Sequence, residues 1–123
     1  VSKNKLYQEI YKHLGVKSIH NYYGMVEQTG SIFFECEEGY YHSSIFSEIL
    51  IRDLNLNLSK NDEYGLIQLF SLLPLSYPGH NILTEDVGKI VGIDNCRCGK
   101  LGKYFLVKGR VKNAEVRGCS DTI

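Results

Sequence analysis

The chain has no excess of either charge. Its 14 basic residues are balanced by 14 acidic ones, which argues against a general nucleic-acid or polyanion surface and leaves room only for a local patch. No apolar run reaches the length of a membrane span, and the first residues, "VSKNK", do not have the form of a signal peptide. There is no initiator methionine, so the start reads as a processed end or as a boundary within a longer chain. Internal repeats and low-complexity tracts are absent. Cysteine is scarce: Cys36, Cys96, Cys98 and Cys119 are few for a disulfide scaffold, and Cys96 and Cys98, separated by one residue, are poorly placed to bridge each other. What remains is a single domain of 123 residues, expected in a reducing, cytoplasmic setting with its thiols free for metal or chemistry.

One segment has helical periodicity. Over residues 4–14, Leu6, Tyr7, Ile10, Tyr11 and Leu14 recur at three- and four-residue spacing and line one face. Lys12 and His13 suit the negative end of the helix dipole, and Gly15 suits the stop. The rest is built of short runs rich in β-branched, aromatic or leucine residues: "SIHNYYG", "SIFFECEE", "SEILIRDLNL", "YGLIQLFSLL", "NILTEDVGKIVG" and "GKYFLVKGRV". Gly, Asn, Asp or Pro punctuates them. "LNLNLSKNDEYG" alternates and then turns, as a strand running into a loop does, and "PLSYPG" holds both prolines. The pattern predicts an α+β, mainly β chain: one N-terminal helix, then a small β-barrel-like domain of about six strands.

Three stretches carry residues suited to a nucleotide. In "NYYGMVEQTG", Gly24 and Gly30 permit close backbone approach or positive φ. Tyr22 and Tyr23 offer flat faces for a purine, and Glu27 is a hard oxygen ligand for Mg²⁺ beside phosphates. The same residues also make an ordinary strand, a turn and a solvated glutamate. In "ILTEDVGKI", Asp86 follows an apolar run and is suited to accept from two ribose hydroxyls, or else belongs to an acidic β-turn. In "VKGRVKNAEVRG", Arg110 presents a fork of donors for phosphate or ribose oxygens, or else a basic edge that discourages strand pairing.

The cysteines form a separate argument. "ECEEGYYH" sets Cys36 six residues from His42, and "CRCG" sets Cys96 two residues from Cys98. Three thiolates and an imidazole suit a closed tetrahedral zinc site that would staple a small domain. The other reading is a buried Cys36, an exposed histidine and a reducible surface pair. His13, His20 and His80 have no such company and read as surface or core histidines. Cys119, in "RGCSD", lies near Arg117, whose charge favours thiolate.

Taken in order, the three stretches resemble the adenylate-forming superfamily, and within it the acyl-protein synthetase family of bacterial luminescence, with the phenylacetate–CoA ligases next. "YGMVEQ" is similar to that family's "YGMTEQ", "LTEDVGKI" to its "TGDLG"-type ribose motif, and "VKGRVKNAEVRGC" to its hinge segment. The resemblance spans Asn21 to Asp121.

The resemblance implies that Tyr23, beside Gly24, stacks on adenine, that Glu27 binds Mg²⁺, that Asp86 holds the ribose and that Arg110 contacts ribose or phosphate. It places Lys112 at a hinge near residues 108–118 and makes Cys119 the thiol that carries the acyl group. A similar cysteine and histidine pattern in phenylacetate–CoA ligase-like enzymes implies structural zinc on Cys36, His42, Cys96 and Cys98. Two departures stand out: Val26 replaces a threonine that usually touches phosphate, and the Ser/Thr/Gly-rich phosphate loop is missing.

The chain therefore looks like the C-terminal portion of a longer ATP-dependent ligase, inactive alone. That ligase would activate a carboxylic or fatty acid and pass the acyl group to a protein thiol, with an acyl-carrier or acyltransferase protein as partner. An acyl-CoA ligase and a non-catalytic zinc-binding β module that binds a partner protein are the alternatives.

Overall fold

The computed structural model describes residues 2–111. Lys112, Cys119 and the hinge stretch from residue 112 onward lie outside the described residues. Helix α1 spans Lys3–Leu14. The Ser2 side chain accepts from the Lys5 N–H at its start, and Gly15, at φ 68°, closes it by donating to the Tyr11 carbonyl. The apolar face expected from the spacing is present but uncovered. No residue of α1 is buried, and Leu6, Tyr11 and Leu14 are all at least half exposed among the described residues.

The remaining elements are strands: β1 (Tyr22–Tyr23), β2 (Phe33–Phe34), β3 (Tyr41–His42), β4 (Ser47–Arg52), β5 (Gly65–Ser71), β6 (Asn81–Ile93) and β7 (Lys103–Arg110). A 3₁₀ turn, Val26–Gln28, follows β1. β1 and β2 form a small antiparallel ribbon. The others form an antiparallel sheet in the order β3-β7-β6-β5-β4. The mainly β expectation holds, but the barrel does not close. The two outer strands of the five-stranded sheet, β3 and β4, do not pair with each other, and β3, at two residues, is too short to complete a wall. "LNLNL" is also not a strand. Asp53 accepts from the Asn55 and Asn57 N–H groups at 2.9 and 2.8 Å, and Leu56 takes φ 65°, so a side-chain-capped turn wins over the alternation.

One face of the large sheet makes the core. Ile49 and Ile51 on β4 pair in register with Leu69 and Ile67 on β5, and with Phe33, Ile90 and Phe105 they form one buried cluster. The period of two along each strand puts these side chains on one face. Phe105 meets Phe33 edge-on at 5.4 Å between ring centres and Tyr23 at 6.1 Å, so it joins the ribbon to the sheet. Gly88 sits at a bulge where a Cβ would come within 2.5 Å of the Leu106 carbonyl oxygen and 2.7 Å of Ile67 Cδ1, so only glycine fits where β6 bends against β7.

Phe105→Ala should therefore lower unfolding free energy in urea by about 3–5 kcal/mol. Leu54→Ala, at a side chain 87% exposed, should stay within about 0.5 kcal/mol of wild type.

Candidate functional site

The long β6–β7 pair carries two candidate sites, one near each end. Near Asp86 and Arg110 is an open cleft of about 890 Å³, within the range of roughly 300–1,000 Å³ usual for small-molecule sites. Its walls come from three separate segments: β1 with its following turn (Tyr22, Gly24, Val26, Glu27), the first half of β6 (Ile82 to Asp86), and Arg110 on β7. Asp86 and Arg110 are cross-strand partners, and the guanidinium Nε lies 3.8 Å from Asp86 Oδ1. The Asp86 N–H donates to Thr84 Oγ1 at 3.1 Å, and Thr84 donates to the Ile67 carbonyl at 2.9 Å, which anchors this stretch inside the sheet. Asp86 thus sits in a strand and not in an acidic turn.

Glu27 is exposed in the 3₁₀ turn on the cleft wall, where a hard cation could reach it from solvent. Gly24 is packed so that a Cβ would lie 3.2 Å from the Ser31 carbonyl oxygen, and Gly30 takes φ 92°. Val26 turns its side chain outward, 84% exposed, into the same wall. Tyr23 faces away from the cleft. Its ring lies 6.0 to 6.2 Å from those of Phe33, Phe105 and Tyr41, and its hydroxyl donates to Asp86 Oδ2 at 2.7 Å. Burial raises the Tyr23 phenol well above the ordinary tyrosine range, and the bond to Asp86 adds to this.

The sequence reading missed the clamp behind this wall. Gln28 is fully buried and donates from Nε2 to the Gly79 carbonyl at 2.8 Å. The next N–H, from Thr29, donates to the Tyr77 hydroxyl at 2.9 Å. Together they fasten the first motif to the "SYPG" loop. A glutamine in a short polar turn carries no burial signal of its own.

The second site gathers Cys36, His42, Cys96 and Cys98, whose ligand atoms all lie within 4.8 Å of one another. Two turns of similar form build it. Gly39 N–H donates to the Cys36 carbonyl at 2.9 Å and Gly99 N–H to that of Cys96 at 3.0 Å, with both glycines at positive φ, 81° and 79°. β3 then supplies His42, which stacks on Tyr104 at 5.7 Å. The Cys36 and Cys96 sulfurs are 4.0 Å apart, and Cys98 Sγ lies 3.4 Å from His42 Nε2. Tetrahedral zinc with its usual bond lengths sets sulfur–sulfur edges at about 3.8 Å and sulfur–nitrogen edges at about 3.5 Å, so the donor set fits. His42 Nδ1 is buried without a protein partner among the described residues, consistent with Nε2 as the metal-facing atom.

The protonation states agree with this fit. Burial, with the Lys100 charge adding, lowers the His42 pKa and keeps the ring neutral at pH 7. Burial pushes the Cys96 thiol up to about 11. It also opposes ionisation of Cys98, but the Lys100 N–H and the Cys96 and Cys36 thiols outweigh it and hold Cys98 below the ordinary thiol range. All four positions are taken by protein, so a metal here would be structural, with no open position for substrate.

Fold and sites together define a small antiparallel β domain with a Cys/His cluster that could hold a metal ion and a separate open cleft. The family model described as "Acyl-protein synthetase, LuxE" matches residues 1–123, and the chain belongs to that acyl-protein synthetase family. No curated protein matches the chain. The family gives the coarse statement of role, an acyl-protein synthetase-related, ligase-type function. No helix among the described residues is long and apolar enough to cross a membrane.

Protein purified without added metal should contain about one zinc per chain by elemental analysis. Chelation, or Cys96→Ser, should lower the melting temperature by roughly 10 °C or more, each kcal/mol being worth roughly 4–8 °C at this size. Zinc content near zero with melting unchanged on chelation would refute the assignment. Affinity should fall with pH because the ligands take up protons. The sign for the metal-free protein follows from His42. Its folded pKa lies below its unfolded value, so its contribution is present above pH 6.5 and is lost as pH falls from there through the folded pKa.

Proposed function

We propose that this domain holds the adenine nucleotide in an acyl-protein synthetase that makes an acyl adenylate and passes the acyl group to a protein thiol. The supporting observation is that three segments far apart in sequence, containing Glu27, Asp86 and Arg110, line one cleft. In the first step the acid's carboxylate oxygen attacks the α-phosphorus of ATP. The bond to the bridging oxygen breaks and pyrophosphate leaves. Asp86 accepts from the ribose hydroxyls and so fixes the sugar, while Arg110 sets a positive charge against ribose or phosphate oxygens. Glu27 is the residue that would hold Mg²⁺, which when bound offsets phosphate charge.

In the second step a thiolate attacks the acyl carbonyl, the bond to the phosphate oxygen breaks, and AMP leaves. Cys119 is the proposed thiol and Lys112 the proposed pivot that brings it to the adenylate, both from the family resemblance. The acid is proposed to be a carboxylic or fatty acid, and the onward acceptor an acyl-carrier or acyltransferase protein.

Acid-dependent pyrophosphate exchange in the natural full chain tests the first step. Asp86→Ala should lower it by roughly ten- to a hundredfold, the effect of losing hydrogen bonds to a charged group. Unchanged exchange would reduce Asp86 to a structural residue. Cys119→Ser should leave exchange intact and abolish the hydroxylamine-labile acyl label on the protein. Acyl-CoA formation without protein label would instead identify an acyl-CoA ligase. No exchange at all in the wild type would leave a non-catalytic zinc-binding module.

A further inference from the structure

Strand β4 is an outer strand of the large sheet, and among the described residues no other strand pairs with its free edge. Its sequence, SEILIR, sets apolar residues over a six-residue strand, the kind of edge to which a further strand adds. The chain covers the two ends of that edge itself. Ser47 N–H donates to the Ser44 carbonyl at 3.2 Å, and Ser59 N–H donates to the Ile51 carbonyl at 2.8 Å. Ile49 lies between them, and there side chains do the covering. Glu48 Oε1 accepts from the Ile49 N–H at 2.7 Å, and Lys103 Nζ donates to the Ile49 carbonyl at 3.1 Å. The two side chains also pair with each other at 2.9 Å. Lys103 belongs to β7, which is not a neighbour of β4 in the sheet. It shares the core face with Phe105, two residues on, so its side chain spans the open side of the curled sheet.

We propose that Glu48 and Lys103 form a side-chain seam that stands in for the missing β3–β4 ladder and keeps the β4 edge from pairing with that of a second copy of this chain. A charged group turned inward at a sheet edge is a known guard against such pairing. The second copy is the occupant because β4 is self-complementary about Ile49. An antiparallel pair centred there sets Ile49 against its own counterpart, and the N–H and carbonyl now held by the seam exchange bonds across the two chains. The same register sets Glu48 against Leu50 and Ser47 against Ile51, so no like charges meet. Bonds at Ser47 and Ile51 that the chain now makes locally are replaced like for like by the partner strand. The pairing is two-fold, and so it closes at a dimer. It is independent of the nucleotide reading of the cleft.

The test uses the natural full chain, with hydrogen exchange at the Ile49 amide and sedimentation velocity over a concentration series. Glu48→Ala leaves the Ile49 N–H without its acceptor and should speed exchange there by about tenfold. Lys103→Met keeps the apolar stem, removes the donor to the Ile49 carbonyl, and should move self-association to about tenfold lower concentration than wild type. Unchanged exchange in Glu48→Ala, or unchanged association in Lys103→Met, overturns the proposal. Exchanging the charges, Glu48→Lys with Lys103→Glu, restores the ion pair but neither backbone bond, and should associate as Lys103→Met does. Wild-type behaviour of the exchanged pair would reduce the seam to an ordinary surface ion pair and overturn it as well. Leu50→Glu added to Lys103→Met sets a carboxylate against Glu48 of the other copy and should return association to the wild-type level. Association that persists there overturns the β4 edge of a second copy as the occupant. Should Lys103→Met not fold, Glu48→Ala, at a side chain 53% exposed, decides by exchange and association together, and wild-type values of either overturn the proposal.

Discussion

The antiparallel ladder between β6 and β7 is the constraint on which both sites depend. It runs from the Asp86–Arg110 pair to the Ile93–Lys103 pair, about 20 Å along the strand at roughly 3.3 Å per residue. The cleft residues are set at one end. The connection at the other end carries Cys96 and Cys98, and Tyr104, beside it on β7, stacks on His42. Because strand register is discrete, a slip of one residue would turn Asp86 away from the cleft and Tyr104 away from His42 at once. The bulge at Gly88 sits between the two ends, and its close approach to the Leu106 carbonyl admits no side chain. The register of the ladder thus shifts at a fixed place between the two sites.

The first motif is fastened to this ladder by aromatic packing and by polar ties. Phe105 on β7 touches the rings of Tyr23, Phe33 and Tyr41, so the ribbon leans on the same strand that carries Arg110. Glu35, just past β2, accepts from Asn21 Nδ2 at 2.8 Å and pairs with Lys3. One carboxylate therefore holds both the start of the motif and the start of α1. The Lys3 end of that pair is exposed and worth little to stability. Its value is in where it sets the chain, since α1 otherwise packs no buried side chain against the sheet.

The sequence made much of this legible, for physical reasons that differ by element. Helix α1 was readable within one residue at each end because its cap and stop are local chemistry, Ser2 and Gly15. The Cys/His cluster was readable because Cys36 with His42 and Cys96 with Cys98 are paired at close spacing, and the fold had only to bring the two pairs together. The open sheet was not readable, since closure depends on which edge strands meet, and no local pattern states that. The leucine–asparagine alternation misled for the opposite reason: a local cap, Asp53, overrides a two-residue period. The facing of Tyr22 and Tyr23 was also out of reach. Two adjacent tyrosines are equivalent in sequence, and only the partner residues Phe33, Phe105 and Asp86 break the tie.

The Cys/His cluster bears on how so small a hydrophobic cluster could suffice at its end of the sheet. There the buried residues are Cys36, Cys96 and Tyr104, with Tyr40, Val91 and Cys98 partly covered. Burying such a set through contact alone gives little, because thiols are small and a neutral imidazole still needs a partner for its ring nitrogens. Burial of Cys96 raises its pKa, so without a cation this corner holds neutral thiols that make only weak hydrogen bonds. A divalent ion held there would change the balance: it would draw off the thiol protons, replace weak contacts with four strong bonds, and tie the β2–β3 turn to the β6–β7 turn across sixty residues of chain, from Cys36 to Cys96. The same bonds would hold His42 against Tyr104, where β3 pairs with the edge of β7. A domain of this size with a one-faced core would gain from a clip beside its smaller buried cluster, and the four side chains converge there.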